Sequence, residues 1–171
     1  RGGVPPRVEG ESGLPDRSAD LATAAQALHW FDLPSYYREV IRVLRPGGLL
    51  AVWCYGLHRV TPEVDRAFDR FYADTVGPWW PPERVEVETG YRRLPFPFPE
   101  ITAPTLAITA ELDLHGLLAY VATWSAVRRK ISATGSDPVA ELEQELPLSW
   151  GDPLTVRTVR WPLSIRAGRA P

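Results

Sequence analysis

His29 is the titratable side chain best placed for chemistry in this sequence. It follows a mostly uncharged run, Asp20-Leu21-Ala22-Thr23-Ala24-Ala25, and stands beside Trp30 and Phe31. An imidazole titrates near neutral pH, so it can act as a general base toward an oxygen or nitrogen acceptor, or donate a hydrogen bond to an acidic ligand. A histidine satisfied inside a core fits the same residues. His58 and His115 have no partner pattern, and Cys54 falls in a run that reads as a buried strand. No metal-ligand spacing results, and no metal is expected. Arg92-Arg93 is a pair of cations able to meet an acidic substrate, although within a loop it reads more simply as solvated charge.

Two elements must position His29. The alanine-rich run before it is weak by β-propensity and makes a strand only if central and closely packed on both faces. After it, Asp32 can cap a helix and Pro34 suits the first turn. Tyr37, Val40, Ile41 and Leu44 fall at i, i+3, i+4 and i+7, one face of a helix that Pro46-Gly47-Gly48 stops. Leu49-Leu50-Ala51-Val52-Trp53-Cys54-Tyr55 then reads as a strand buried on both faces, the parallel-sheet type. Strand, helix and strand make a βαβ unit and predict an α/β layer fold with a right-handed crossover.

Beyond this unit, a helix follows Thr61-Pro62 with Val64, Ala67, Phe68 and Phe71 on one face, and Trp79-Trp80-Pro81-Pro82 breaks it. Prolines crowd the stretch up to Pro104, which reads as an irregular excursion. Thr105-Leu106-Ala107-Ile108-Thr109 reads as a strand. Leu114, Leu117, Leu118, Val121 and Trp124 mark another helix, and Asp137-Pro138 begins a shorter one. Residues 155–167 read as a strand broken at Pro162, which belongs at an edge or bulge because it cannot donate to a ladder.

Composition narrows the classes. The chain has 171 residues, 44% hydrophobic and 23% charged, which argues against disorder throughout. A net charge of −2 argues against a general grip on nucleic acid. No apolar run approaches the ~18 residues of a membrane span, and no charged start is followed by an apolar core. One cysteine rules out an internal disulfide and suits a reducing, cytoplasmic compartment. The sequence has no methionine and opens in a Gly/Pro-rich stretch, as expected of a processed chain or the later part of a longer one.

Several segments carry a resemblance. Leu14-Pro15-Asp16-Arg17-Ser18-Ala19-Asp20-Leu21 resembles the step before the fourth strand of class I S-adenosylmethionine-dependent methyltransferases. Ala24-Ala25-Gln26-Ala27-Leu28-His29-Trp30-Phe31-Asp32 is similar to the end of that strand in the type 11 group, among relatives of the trans-aconitate methyltransferases. Arg42-Val43-Leu44-Arg45-Pro46-Gly47-Gly48 resembles the following helix end, and Tyr120-Val121-Ala122-Thr123-Trp124-Ser125 a later helix of the same group. The resemblance implies a Rossmann-like class I methyltransferase fold that is incomplete, with strands 4 to 7 of the sheet. Residues 1–56 would end the cofactor-binding core, 57–104 form a helical and proline-rich insertion, and 105–171 supply the last strands and helices. The family's glycine-rich loop and the acid that grips the ribose would precede residue 1, and no Gly-x-Gly pattern occurs here.

For this family the cofactor is S-adenosylmethionine, and the acceptor a small molecule. By resemblance, Glu11 and Ser12 would meet the adenine edge, while Ala25, Gln26 and His29 would face the cofactor at the strand end. Trp30 and Trp124 would line the acceptor pocket, with His29 and Trp30 nearest the reaction. Methyl transfer needs no protein nucleophile; the protein aligns the partners, an effect worth up to several kcal/mol, and keeps water away. Aromatic faces attract a cation by about 0.5–2 kcal/mol. A methyltransferase-derived chain without activity of its own would share every motif. A nucleotide-binding dehydrogenase would share the βαβ unit, but not the segments at Gln26–Phe31 and Thr123–Ser125.

Overall fold

The alanine-rich run before His29 forms a strand, β1 (Ala19–Ala25), in the computed structural model, which describes residues 12–171. Glu11 lies outside the described residues. The chain divides into two units, one of residues 12–55, Val85–Thr105 and Leu163–Pro171, the other of Gly56–Arg84 and Leu106–Pro162.

In the first unit, β1 pairs in parallel with β2 (Leu44–Tyr55), from Leu21 opposite Leu49 to Ala25 opposite Trp53. The helix α1 (Leu33–Val43) connects them and buries Tyr37, Val40 and Val43. Tyr37 and Val40 join Ala24, Leu50, Val52 and Cys54 in one hydrophobic core, where each fully buried aliphatic side chain contributes about 1.5–3 kcal/mol. The helix stops earlier than the Pro-Gly-Gly signal suggests. Leu44 is already extended (φ −70°, ψ 139°) and opens β2, because Pro46 disfavours helical backbone at Arg45 just before it. Ile41, although inside the helix, is exposed. Asp32 occupies the cap position without a capping side-chain bond; Pro34 supplies the first turn. On β2, Leu50, Val52 and Cys54 are fully buried, whereas Leu49, Ala51, Trp53 and Tyr55 are half-buried, so complete burial applies to one face.

The last strand, β5 (Arg157–Arg169), runs antiparallel along β2 from Leu163 opposite Tyr55 to Arg169 opposite Leu49. A short strand β3 (Glu100–Ile101) pairs with its end, giving the order β1-β2-β5-β3. The proline-rich excursion is not a surface loop: Val87, Tyr91 and Phe98 from it are buried in the same core as Leu50 and Val52. Its aromatic rings lie directly on β5. A Cβ at Gly168 would stand 2.6 Å from the Phe98 Cβ, 2.9 Å from Phe96 and 3.0 Å from the Pro99 carbonyl.

The second unit is mostly helical. Its helices are α2 (Pro62–Arg70), α4 (Leu114–Ala122), α5 (Ser125–Thr134), α6 (Pro138–Glu145) and α7 (Pro147–Trp150), with the short α3 (Arg84–Glu88) beginning at its boundary. Caps explain the starts: Thr61 accepts from Val64 N, Asp113 from Gly116 N at 2.8 Å, and Asp137 from Val139 N at 2.9 Å. Trp124 does not continue α4. Its extended backbone (φ −61°, ψ 137°) ends that helix and starts α5, an element the apolar spacing did not reveal. The strand β4 (Ala107–Leu112) pairs antiparallel with the first part of β5, ending at Ala107 opposite Pro162. Pro162 therefore marks a change of partner along β5, where a missing N–H costs least, and no break in the strand. Among the described residues no helix is long and apolar enough to cross a membrane.

His58 is the buried polar group of this unit's core, 0% exposed, with neither ring nitrogen hydrogen-bonded. Phe68 stands edge-on at 4.3 Å, and Tyr120, Trp124 and Trp161 complete the surround at 6.0–6.1 Å. Burial among these rings, aided by the Arg59 cation and opposed by Asp69, pushes the imidazole down to about 4.

Two tests follow from this packing. Gly168→Ala should lower stability by about 1–3 kcal/mol, read as a reduced urea midpoint, because the neighbours at Gly168 include main chain and a Cβ. His58 is neutral in the folded chain down to about pH 4, whereas in the unfolded chain it takes a proton near its ordinary ~6.5. Its stabilising contribution is present above ~6.5 and falls away toward pH 4, by at most about 3 kcal/mol. His58→Phe should flatten the stability profile across that window, measured by urea unfolding at a series of pH values.

Candidate functional site

The carboxyl ends of β1 and β2 are tied together by one residue. Gln26 leaves β1 in the left-handed region, φ 52°, uncommon outside glycine. Its backbone N–H still donates to the Trp53 carbonyl at 2.8 Å. Its side-chain amide serves both main-chain groups of Tyr55: Tyr55 N–H donates to Oε1 at 2.9 Å, and Nε2 donates to the Tyr55 carbonyl at 3.1 Å. The chain then bends into a single 3-10 turn, Leu28–Trp30, anchored by the fully buried Leu28. This turn brings His29 to the strand ends, half-buried, and leaves Trp30 53% exposed with its ring 4.7 Å from the imidazole. Ala25, small and exposed, completes the strand end. Open α/β sheets bind ligands at this end of their strands.

His29 has a partner from far along the chain. Its Nδ1 lies 3.1 Å from the hydroxyl of Tyr91, which is fully buried. Local chemistry explains how Tyr91 comes there. The helix α3 closes in a Schellman motif: Gly90 N–H donates to the Val87 carbonyl at 3.0 Å and Tyr91 N–H to the Glu86 carbonyl at 2.8 Å. Gly90 (φ 63°) and Tyr91 (φ 62°) are both left-handed, so the chain doubles back and the phenol enters the core. Arg166 of β5 fixes this geometry. Its Nη1 donates to the carbonyls of Tyr91 and Leu94, each at 2.8 Å, while Nη2 pairs with Glu100 at 2.6 Å and the guanidinium lies 4.6 Å from the Phe96 centroid. The Arg166 bond holds the Glu100 carboxyl below its usual range. Burial, with Cys54 adding to it, raises the Tyr91 phenol well above its ordinary value. The phenol beside His29 is thus a neutral group at the strand ends.

The methyltransferase domain family matches residues 7–52, the segment that contains β1, the 3-10 turn, α1 and most of β2. A protein of Dictyostelium discoideum described as a methyltransferase is 34% identical over 136 residues, 78% of this chain and 52% of that protein. The chain thus spans about half the length of the curated relative it matches. A solved structure assigned as a type II methyltransferase, from Anaeromyxobacter dehalogenans, superimposes with a TM-score of 0.89 at 50% identity, covering 95% of this chain and 69% of its own. The chain belongs to the class I methyltransferase family.

In this chain the residues singled out by sequence separate into three places. Ala25, Gln26, His29 and Trp30 come together at the strand ends. Ser12 is engaged on α1: its N–H and hydroxyl both donate to Glu39, at 2.8 and 2.6 Å. Arg42 bonds the same carboxylate and, with Ser12, holds Glu39 down to about 2. Trp124 belongs to the second unit, 9% exposed, packed 5.7 Å from Trp80 and 5.9 Å from Tyr72. Tyr91 and Arg166 were not foreseen. The signal for Tyr91 was Gly90 following a short amphipathic segment, a helix stop that places the next residue inward. Arg166 carried no local signal, since its partners lie some seventy residues away.

Gln26→Ala should lower stability by about 1–3 kcal/mol in equilibrium urea unfolding, because it removes two hydrogen bonds to one part-buried main-chain pair.

Proposed function

We propose that the chain belongs to an S-adenosylmethionine-dependent methyltransferase that modifies a small molecule, of the branch related to the trans-aconitate methyltransferases. The tied strand ends carry this reading: one short turn presents His29 and Trp30 beside the exposed Ala25. The residues there fit the cofactor. Gln26 spends its side chain on Tyr55, so the strand end offers main chain and a methyl side chain, suited to the amino-acid end of the ligand. The bound cofactor supplies a methyl group already activated on a positive sulfur. The main chain of Ala25 and Gln26 would hold the cofactor. His29 would orient the acceptor by hydrogen bonding, and Trp30 would offer an aromatic face to positive charge while shielding the site from water.

We further read the 171 residues as the carboxyl-terminal part of the enzyme, without the glycine-rich loop of the cofactor site. Both relatives are longer than the matched region. Among the described residues β1 pairs only with β2, and Leu21 on it is 54% exposed. A groove of about 340 Å³ beside β1 is lined by Leu21, Ala22, Tyr36 and Val40, and the buried Tyr36 hydroxyl has no partner. An unpaired strand edge and an apolar groove together are what a sheet shows where further elements pack.

Calorimetry tests both parts. Titrated with S-adenosylmethionine, the 171-residue chain should show no micromolar binding, whereas the chain extended upstream to the length of its relatives should bind in that range. Micromolar binding by the short chain would overturn the incomplete-site reading. Failure of the extended chain to bind would overturn the enzyme reading in favour of a methyltransferase-derived chain without activity.

A further inference from the structure

We infer that Tyr91 is a positioning residue for His29: its hydroxyl donates to Nδ1 and fixes the imidazole in the tautomer that carries its proton on Nε2. The inference deepens the proposed function and rests on it only in the claim that His29 faces a ligand.

The geometry leaves the phenol little choice. Tyr91 is fully buried, its backbone is set by two consecutive left-handed residues, and its carbonyl is gripped by Arg166. The hydroxyl cannot swing away to water. A phenol has one proton to give and an oxygen that accepts. Among the described residues that hydroxyl has one hydrogen-bond partner, Nδ1 of His29 at 3.1 Å, so its own proton goes there. The opposite arrangement, Nδ1–H donating to the phenol, would strand a buried hydroxyl proton. Such an orphan disfavours the alternative by roughly tenfold or more.

The consequence concerns chemistry. A neutral imidazole acts as a base through its unprotonated nitrogen. Here that nitrogen is Nδ1, and Tyr91 occupies it. The remaining nitrogen, Nε2, carries a proton and acts as a donor. His29 thus orients an oxygen of its ligand and does not remove a proton from it. The phenol holds the His29 side chain of this turn, so the tautomer and the direction of the ring are set together.

Nitrogen-15 spectroscopy of the 171-residue chain tests this directly. The sequence has three histidines, so a His29→Gln variant identifies the His29 signals by their loss. At about pH 8, where an ordinary imidazole (~6.5) is neutral, long-range proton–nitrogen correlation should show Nδ1 unprotonated and Nε2 protonated. Tyr91→Phe should turn this single pattern into a mixture of both tautomers, while the His58 and His115 signals stay in place. A purely structural tyrosine would leave the tautomer unchanged. A wild-type spectrum with the proton on Nδ1, or a folded Tyr91→Phe chain with the wild-type His29 pattern, would overturn the inference. If Tyr91→Phe fails to fold, the wild-type spectrum still decides. No cofactor enters the measurement, so its failure is separate from failure of S-adenosylmethionine binding.

Discussion

The side-chain amide of Gln26 is the interaction on which the candidate site depends. Parallel strands joined by a helix have no tight turn to fix how their far ends meet. In this chain one of those strands is largely alanine, with little side-chain bulk to hold it. Gln26 substitutes for the missing grip by continuing the β1 ladder with a side chain, meeting the N–H and carbonyl of Tyr55 at once. A left-handed conformation costs a non-glycine residue about 1–2 kcal/mol. The two added bonds, each worth about 0.5–1.5 kcal/mol, offset that cost. The same bend leads into the 3-10 turn, so the direction of His29 and Trp30 is decided three residues before His29.

A second constraint acts through β5. The stretch after α3 has almost no regular structure, yet Tyr91 and Phe98 from it lie in the core. Main chain buried without a ladder needs other partners. Arg166 provides them to the carbonyls of Tyr91 and Leu94, with Glu100 balancing its charge and Phe96 covering its flat face. A planar guanidinium with five donors can serve that many groups; a lysine ammonium cannot do so with the same geometry. The proline-rich stretch is therefore irregular in outline but defined in place, and Tyr91 is fixed at both its N–H and its carbonyl.

Much of this was legible in the sequence where the information is local. The spacing of Tyr37 and Val40 and the uncharged run after Gly48 located α1 and β2, and the order of elements gave the α/β class. Local signals failed where two rules compete. Leu44 fits the helical spacing, but Pro46 disfavours helical backbone at Arg45, so the helix ended sooner. Trp124 fits the face of α4, but its backbone turns and begins α5. The site was half legible. His29 and Trp30 stand beside a strand end that the pattern located, whereas Tyr91 and Arg166 act across sixty residues or more and show only in three dimensions. Composition misled in one respect: crowded prolines mark the absence of regular hydrogen bonding, not the absence of burial, and Phe98 and Tyr91 are both core residues.

The choice of a tyrosine beside His29 has a physical logic of its own. A carboxylate in the same position would draw a proton onto the imidazole and favour a charged pair, whose removal from water costs several kcal/mol per ion. A phenol does neither. Burial raises Tyr91 further above neutrality, so across the physiological range it remains a neutral donor. The phenol's side of its hydrogen bond to His29 therefore does not switch with modest changes of pH. Near a ligand whose own reactive centre is positive, an additional imidazolium would be repulsive and an additional carboxylate would trap the cation in its ground state. In the site proposed above, the phenol would hold the imidazole without doing either, and would leave the field at the strand ends to the ligand and to the aromatic face of Trp30.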